Sequence, residues 1–285
     1  MEKQKTKLGA RVLSKAELNA ILPNAESIYE QIEVFRNNIP EKPKAPEKAR
    51  KEVWEQKTNN IGIMGRRGAG KTSILKTFHE GLKGRNDKND IILPIIIPEN
   101  MSADTSLMDV VLGMLKSEVE KKKEEKKKEQ EKGSVYSDDC IYSGRDSLEK
   151  EYNELVKQYC YIKKDYRDIL IQQFTTEQNY VDKTTQVFNS DTEFIRRFNI
   201  FIEKLLCPEE KQDMKSMIYL FIDDIDLSTT KCMDVVRTLL SYLSNPRIVT
   251  FISGDMGTFE EALTLEFLRQ EKALSKEVFD EVYYS

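Results

Sequence analysis

The amino-acid sequence predicts an α/β fold in which a parallel sheet is flanked by helices. Four short apolar runs, at residues 61–64, 91–97, 217–222 and 247–252, have the length and β-branched content of buried strands. A segment with helical spacing of apolar residues follows each of them. Strands that alternate with helices are typical of a parallel sheet. Pro94 cannot donate to a central ladder, so we expect the second run to form an edge strand or a bulge.

A glycine-rich segment connects the first predicted strand to the first predicted helix. It reads Gly-Arg-Arg-Gly-Ala-Gly-Lys-Thr over residues 65–72 and matches the pattern G-x-x-x-x-G-K-[ST]. In this pattern backbone N–H groups cradle phosphates, the lysine contacts the β- and γ-phosphates, and the hydroxyl binds Mg²⁺. The sequence therefore predicts a P-loop NTPase fold. The residues expected to bind the nucleotide are Gly65, Arg66, Arg67, Gly68, Ala69, Gly70, Lys71, Thr72 and Ser73.

The third apolar run ends in a cluster of aspartates. Carboxylates at the C-terminal end of a buried parallel strand fall where open α/β sheets bind ligands. We predict that Asp223 and Thr72 hold Mg²⁺ and that Asp224 activates the attacking water. Asp224 is one methylene shorter than the glutamate found in many ATPases. The alternative is a polar turn in which Asp226 or Ser228 caps the following helix.

The fourth apolar run ends in Ser253, Gly254 and Asp255. A polar side chain at the end of a neighbouring strand would face the γ-phosphate. We predict that Ser253 has this role, with Asp255 as the second candidate. Lys71, Asp224 and Ser253 are then the predicted catalytic residues.

These elements divide the chain into four segments. An N-terminal helical extension with a proline-rich linker covers residues 1–56, and the first part of the ATPase core covers 57–115. A charged, mainly helical insertion covers 116–190, because the distance between the second and third strands exceeds an ordinary crossover. The second part of the core covers 191–285.

The insertion contains a block of alternating Lys and Glu at residues 118–132. It is either a basic arm for nucleic acid or a solvated helix with i,i+4 pairs, and the alternation of sign favours the helix. Aromatic residues in the following region could stack on single strands. The helical spacing of Phe194, Phe198 and Phe201 favours packing between helices instead.

The composition argues against several classes of protein. A net charge of −4 lacks the basic footprint of a dedicated nucleic-acid-binding domain. No apolar run approaches the length of a membrane span and residues 1–7 contain no signal core, so we expect a cytoplasmic protein. The four cysteines are widely spaced and form no C-x-x-C pair. His79 is the single histidine, and we expect it to be structural.

Three stretches together resemble the AAA+/STAND superfamily, especially its KAP-like branch. They are Gly-Arg-Arg-Gly-Ala-Gly-Lys-Thr at 65–72, Phe-Ile-Asp-Asp-Ile-Asp at 221–226 and Phe-Ile-Ser-Gly-Asp at 251–255. The layout also looks like ATPases of bacterial anti-phage defence, such as that of the RADAR system. The resemblance covers mainly residues 60–115 and 215–265.

This resemblance implies an ATP- and Mg²⁺-dependent ATPase that forms homo-oligomers and acts with a protein partner. In such families a helical lid, a second sensor and an arginine finger follow the fourth strand, and we expect them to come from a longer chain or a neighbouring subunit. Arg237, Arg247 and Arg269 are candidates for the arginine finger. Their spacing in the sequence does not favour one of them over the others.

Other functions remain open from the sequence. A nucleotide-gated scaffold would bind ATP with negligible turnover, and a DNA-loading ATPase would bind nucleic acid in a salt-dependent way. A GTPase is disfavoured because no Asn-Lys-x-Asp motif occurs in the expected region. A small-molecule kinase fits the paired aspartates and the large insertion less well.

Overall fold

The structure, a computed structural model, describes residues 9–40, 58–85, 89–132, 139–163, 190–207 and 215–270. Most of the predicted linker, part of the predicted insertion and residues 271–285 of the predicted core lie outside these ranges. The strands are β1 Asn59–Met64, β2 Ile91–Ile96, β3 Ile218–Ile222 and β4 Ile248–Gly254. The helices are α1 Lys15–Ile21, α2 Ala25–Asn37, α3 Lys71–Gly84, α4 Leu107–Lys132, α5 Asp139–Ile162, α6 Ser190–Leu206, α7 Thr229–Ser241 and α8 Met256–Gln270.

The four strands form one sheet in the order β1-β4-β3-β2, and every pairing is parallel. This confirms the predicted α/β class. Every residue of β3 and β4 is buried, which explains why both strands read as continuous apolar runs. β2 is an outer strand of this sheet, and its register shifts between Ile92 and Ile95, on either side of Pro94. Both features expected from the proline are therefore present.

The N-terminal helices α1 and α2 contribute to the main hydrophobic core. Leu18, Ala25 and Ile32 lie in the same buried cluster as Phe78 of α3 and Phe251 of β4. The sequence predicted these helices as an extension outside the nucleotide core that could pack on the core or hold a neighbouring subunit. The structure shows packing on the core, because buried residues of both helices lie in one cluster with α3 and the sheet.

A buried ion pair also ties α2 to the sheet. The guanidinium of Arg36 donates to both carboxylate oxygens of Asp90, at 2.9 and 2.6 Å. It also donates to the carbonyl of Lys215 at 2.6 Å and to the hydroxyl of Tyr219 at 2.8 Å. Asp90 in turn accepts the N–H of Met217 just before β3. The N-terminal helices are thus fixed to the end of the sheet where β2 and β3 begin.

Arg36→Ala is expected to lower the free energy of unfolding by about 3–5 kcal/mol, because it leaves the Asp90 carboxylate buried without its cation. Urea unfolding measures the loss. The double variant Arg36→Met, Asp90→Leu should recover much of it, since neither charge then remains. Arg11→Ala removes a solvent-exposed pair with Glu17 and should change stability little. An equal loss in the two arginine variants would contradict the role given to Arg36.

The chain divides into two compact units. The first contains the sheet and comprises Met1–Leu107 and Lys215–Ser285; the second is Met108–Met214. The predicted insertion, 116–190, is therefore shorter than this second unit. In particular α6 belongs to the second unit, whereas the sequence placed it in the ATPase core.

The second unit is helical in its described part. Its core includes aromatic pairs between α5 and α6, with ring centroids 5.7 Å apart for Tyr152–Phe201 and 5.2 Å for Tyr159–Phe194. These rings are buried, which confirms packing between helices. The Lys/Glu block continues α4 as a helix and contains pairs such as Lys121–Glu118 at 2.6 Å. The predicted helical conformation of this block is therefore present.

Helix α7 fixes the loop that follows β2. Lys231, in its first turn, is buried and donates from Nζ to three backbone carbonyls at 2.6–3.0 Å. One turn later, Asp234 accepts the N–H of Leu107 at 2.6 Å, at the start of α4. We call this set of contacts the α7 clamp. The three carbonyls belong to Ser102, Ala103 and Thr105.

Among the described helices, none has both the length and the apolar character needed to cross a membrane.

Candidate functional site

The glycine-rich loop is a tight turn between β1 and α3. The N–H of Ala69 donates to the carbonyl of Arg66 at 3.1 Å, which closes a four-residue turn with Arg67 and Gly68 at its centre. Gly68 has φ +84°, the positive value that a type II turn needs at its third position. Gly70 is also left-handed, with φ +83°, and is the N-cap of α3. The loop thus places the N-terminus of α3 at the C-terminal end of the sheet.

Lys71 begins α3 and turns back onto the loop. It is only 8% exposed, and its Nζ donates to the carbonyls of Gly65 at 2.8 Å and Arg66 at 3.2 Å. The N–H of Gly65 donates to the carbonyl of Gly254 at 3.1 Å, which ties the base of the loop to the end of β4. A positive charge and a helix N-terminus therefore meet beside the strand ends, an arrangement that favours an anion.

The aspartates that follow β3 are held by their neighbours on either side. Asp223 is 1% exposed, and its N–H donates to the carbonyl of Ile96 at 2.8 Å. The Ser253 hydroxyl donates to the Asp223 carboxylate and accepts the N–H of Asp224 at 3.3 Å. The predicted γ-phosphate contact, Ser253, is therefore fully buried beneath the aspartates. Its hydroxyl positions both of them.

Asp224 has an unusual backbone and an unusual ionisation. Its φ is +53°, a left-handed conformation that few residues other than glycine adopt. Partial burial, followed by the charges of Asp223 and Asp226, raises the pKa of its carboxyl above the ordinary value of 3.8, while Lys71 opposes this shift. Strained backbone and a raised carboxyl pKa are both common at functional sites.

The loop and the strand ends enclose one pocket of about 520 Å³. The pocket brings together Lys71, Thr72 and Asp224, which the sequence predicted to act together. Asp223 and Ser253 are buried and do not line the pocket. The lining residues are Gly9, Ala10, Arg67, Gly68, Gly70, Lys71, Thr72, Ser73, Asp224, Asp226, Leu227, Asp255 and Thr258.

The turn-capping alternative for the aspartates receives little support. Ser228 is the N-cap of α7, but its side chain makes no capping hydrogen bond. Asp226 lines the pocket, and its Oδ1 is buried with no hydrogen-bond partner among the described residues. Asp255, the second candidate for the γ-phosphate, accepts the N–H groups of Gly257 and Thr258 at 3.1 and 3.4 Å. Its side chain therefore caps the start of α8.

The sequence did not predict that the N-terminal segment lines the pocket. Gly9 and Ala10 form part of its wall. The segment is held along α3, because the N–H of Arg11 donates to the Ser73 hydroxyl at 3.2 Å and that of Leu13 to the Thr77 hydroxyl at 2.8 Å. Hydroxyls four residues apart on a helix carry no sequence signal for such a contact.

The packing role of Gly254 is a further feature that sequence reasoning missed. A Cβ at this position would lie 2.8 Å from Cγ1 of Ile225 and 2.9 Å from Oδ1 of Asp226. The end of β4 therefore approaches the aspartate loop more closely than any side chain allows. No local pattern marks such a glycine, because the contact is made through space.

Gly254→Ala is expected to lower the free energy of unfolding by about 1–3 kcal/mol, since the aspartate loop must move to admit the methyl group. Thermal and urea unfolding measure this. Gly113→Ala is the matched control, because a Cβ there meets nothing within 4 Å and an α4 interior position gains helix propensity. Equal stability of the Gly254 variant and wild type would contradict the close approach.

Two of the arginines proposed from the sequence as fingers, Arg237 and Arg247, do not line this pocket. Arg247 is buried at the opposite end of β4 and donates to the carbonyl of Ser216 at 3.2 Å. Arg237 is exposed on α7 and does not line the pocket. The side chain of Arg269 lies outside the described part of the structure. Arg67 is the arginine that the pocket wall does contain.

The donor set near the pocket consists of oxygen atoms, from the Thr72 hydroxyl and the aspartate carboxylates. Among the described residues, no group of three or more His, Cys, Asp or Glu side chains has the geometry of a metal site. Mg²⁺ usually takes only one or two carboxylates and completes its shell with water and substrate phosphates. The residues present therefore fit Mg²⁺ bound together with a nucleotide.

A scan against protein-family models finds none that fits the chain, and a search of curated proteins finds no significant relative.

Proposed function

We propose that this chain is the ATP-binding and hydrolysing module of an oligomeric P-loop ATPase of the AAA+/STAND type. The observation that carries the proposal is the shared pocket. The glycine-rich loop, Lys71, Thr72 and Asp224 line the same pocket, at the C-terminal end of a parallel sheet. Ligands of open α/β sheets bind at this end.

Each residue then has a defined task. The loop N–H groups and Lys71 bind the β- and γ-phosphates, and Lys71 exchanges its contacts with the loop carbonyls for phosphate oxygens. Asp224 orients the attacking water and accepts its proton. Ser253 keeps Asp223 and Asp224 in place. Thr72 and, through water, Asp223 would hold Mg²⁺, which would supply positive charge to the phosphates.

Binding and hydrolysis by the full chain test this proposal. Isothermal titration calorimetry with Mg-ATP and Mg-ADP measures affinity, and release of inorganic phosphate under single-turnover conditions measures hydrolysis. We expect micromolar binding and slow turnover. Absence of binding to either nucleotide at millimolar concentration would overturn the proposal.

Slow turnover by the isolated chain follows from the positions of the arginines, because neither Arg237 nor Arg247 reaches the pocket. A guanidinium supplied by a neighbour contributes about 10³–10⁵ in rate to such enzymes. We propose that oligomerisation supplies it, and that hydrolysis licenses a partner protein, as in anti-phage defence ATPases. A nucleotide-gated scaffold is the second candidate; it would bind ATP but keep it intact in the assembled state.

A further inference from the structure

We propose that the side chain of Arg67 contacts the terminal phosphate and makes the site select a nucleoside triphosphate over a diphosphate. The inference rests on the proposed function and adds a specificity-determining residue to it. Backbone N–H groups of the loop serve phosphates in general. A guanidinium on the pocket wall can distinguish the number of phosphates.

The turn geometry separates Arg67 from the adjacent arginine. Arg66 forms the base of the turn, where its carbonyl accepts both the N–H of Ala69 and the Nζ of Lys71. Arg67 occupies the tip, one residue before the left-handed Gly68. Both side chains are exposed, but only Arg67 lines the pocket. Position, and not charge alone, therefore distinguishes them.

The acidic lining of the pocket favours a second cationic side chain beside Lys71. Asp224, Asp226 and Asp255 line the pocket, and Asp223, the residue before Asp224, is buried. Each of these carboxylates repels the additional charge that ATP carries over ADP. Lys71 alone supplies one positive charge, and its Nζ is near the base of the loop. Arg67 is the other cationic side chain among the described residues that line the pocket.

The side chain of Arg67 is also available for this contact. Among the described residues it has no ion pair, whereas Arg36, Arg196 and Arg197 each pair with an acid. A guanidinium presents a rigid fork of donors that matches two phosphate oxygens, which an ammonium cannot do. Arginine at this position is therefore suited to read a terminal phosphate rather than to stabilise the fold.

The test compares the dissociation constants of Mg-ATP and Mg-ADP in four full-length variants. Arg67→Ala should weaken ATP binding by about tenfold or more, while ADP binding changes by less than about twofold. Arg67→Lys should weaken ATP binding by an intermediate amount, because lysine keeps the positive charge but lacks the planar guanidinium with its paired donors. Arg66→Ala removes a charge from the same loop and should affect ATP and ADP alike. Arg237→Ala, outside the pocket, should affect neither.

The outcomes separate the two proposals. If wild type binds neither nucleotide, the proposed function and this inference both fail. If wild type binds both but Arg67→Ala weakens them equally, or leaves the ratio of the two constants unchanged, the inference alone fails. An equal change of that ratio in Arg66→Ala would also overturn it. Thermal unfolding of each variant verifies that the exposed substitutions leave the fold intact.

Discussion

Lys71→Ala is expected to weaken Mg-ATP binding by about 100-fold or more. The ammonium would make two or more charge-assisted bonds to phosphate, each worth about 1.5–3 kcal/mol, and tenfold in affinity corresponds to about 1.4 kcal/mol. In the free protein the same group holds the carbonyls of Gly65 and Arg66, so the variant also loses order in its binding loop. Isothermal titration calorimetry of the full chain measures the loss.

Lys83→Ala is the matched control for this prediction. It removes a lysine from the last turn of the same helix, where its partner is the exposed Glu80. Nucleotide affinity should be unchanged. ATP binding by Lys71→Ala within about threefold of wild type would contradict the assignment of Lys71, whereas a fall in both variants would indicate that α3 itself is disturbed.

Asp224→Asn is expected to keep nucleotide binding and to lower the single-turnover rate of hydrolysis by about 10²–10⁴. Asparagine keeps the size of the side chain and tolerates the left-handed backbone of this position, but it cannot accept the proton of the attacking water. Asp104→Asn, an exposed change outside the pocket, is the control. Hydrolysis at the wild-type rate in Asp224→Asn would contradict the role of Asp224.

The same variant should be slightly more stable than wild type at pH 7. Because the pKa of Asp224 is raised in the folded protein, its contribution to stability is fully present below the ordinary value of 3.8 and is lost as the pH rises through the folded value. The ionised carboxylate therefore destabilises the fold at neutral pH, and asparagine removes this effect. The difference in Tm should shrink towards pH 4. A lower Tm for the variant at pH 7 would contradict this account.

The sheet was predictable because burial on both faces leaves a direct mark on sequence. β3 and β4 are central and wholly buried, and their residues are apolar almost throughout. Pro94 marked β2 as an outer strand through the hydrogen bond that it cannot donate. The packing partners of amphipathic helices leave no such mark. This is why packing of α1 and α2 on the core was only one of two alternatives, and why α6 was expected within the core.

The site was predictable where chemistry depends on residue type at fixed spacing. Lys71 and Asp224 are far apart in sequence but line the same pocket. This is expected, because ligands of open α/β sheets bind at the C-terminal ends of the strands. The remaining features depend on contacts through space. The wall formed by Gly9 and Ala10 is one of these, and the close approach at Gly254 is another.

In the α7 clamp, the Lys231 ammonium occupies the position that a bound cation would take among backbone carbonyls. Three carbonyl oxygens around one cation have the composition of a monovalent-ion site, in which Lys231 acts as an ion covalently attached to α7. A tethered ion cannot exchange with solvent ions, so the linkage does not depend on potassium or sodium. Leu227 lines the pocket just before α7, and the loop held by the clamp leads directly into α4. Asp234 of α7 accepts the N–H of Leu107, so α7 also holds the residue at which the first segment of the sheet unit ends.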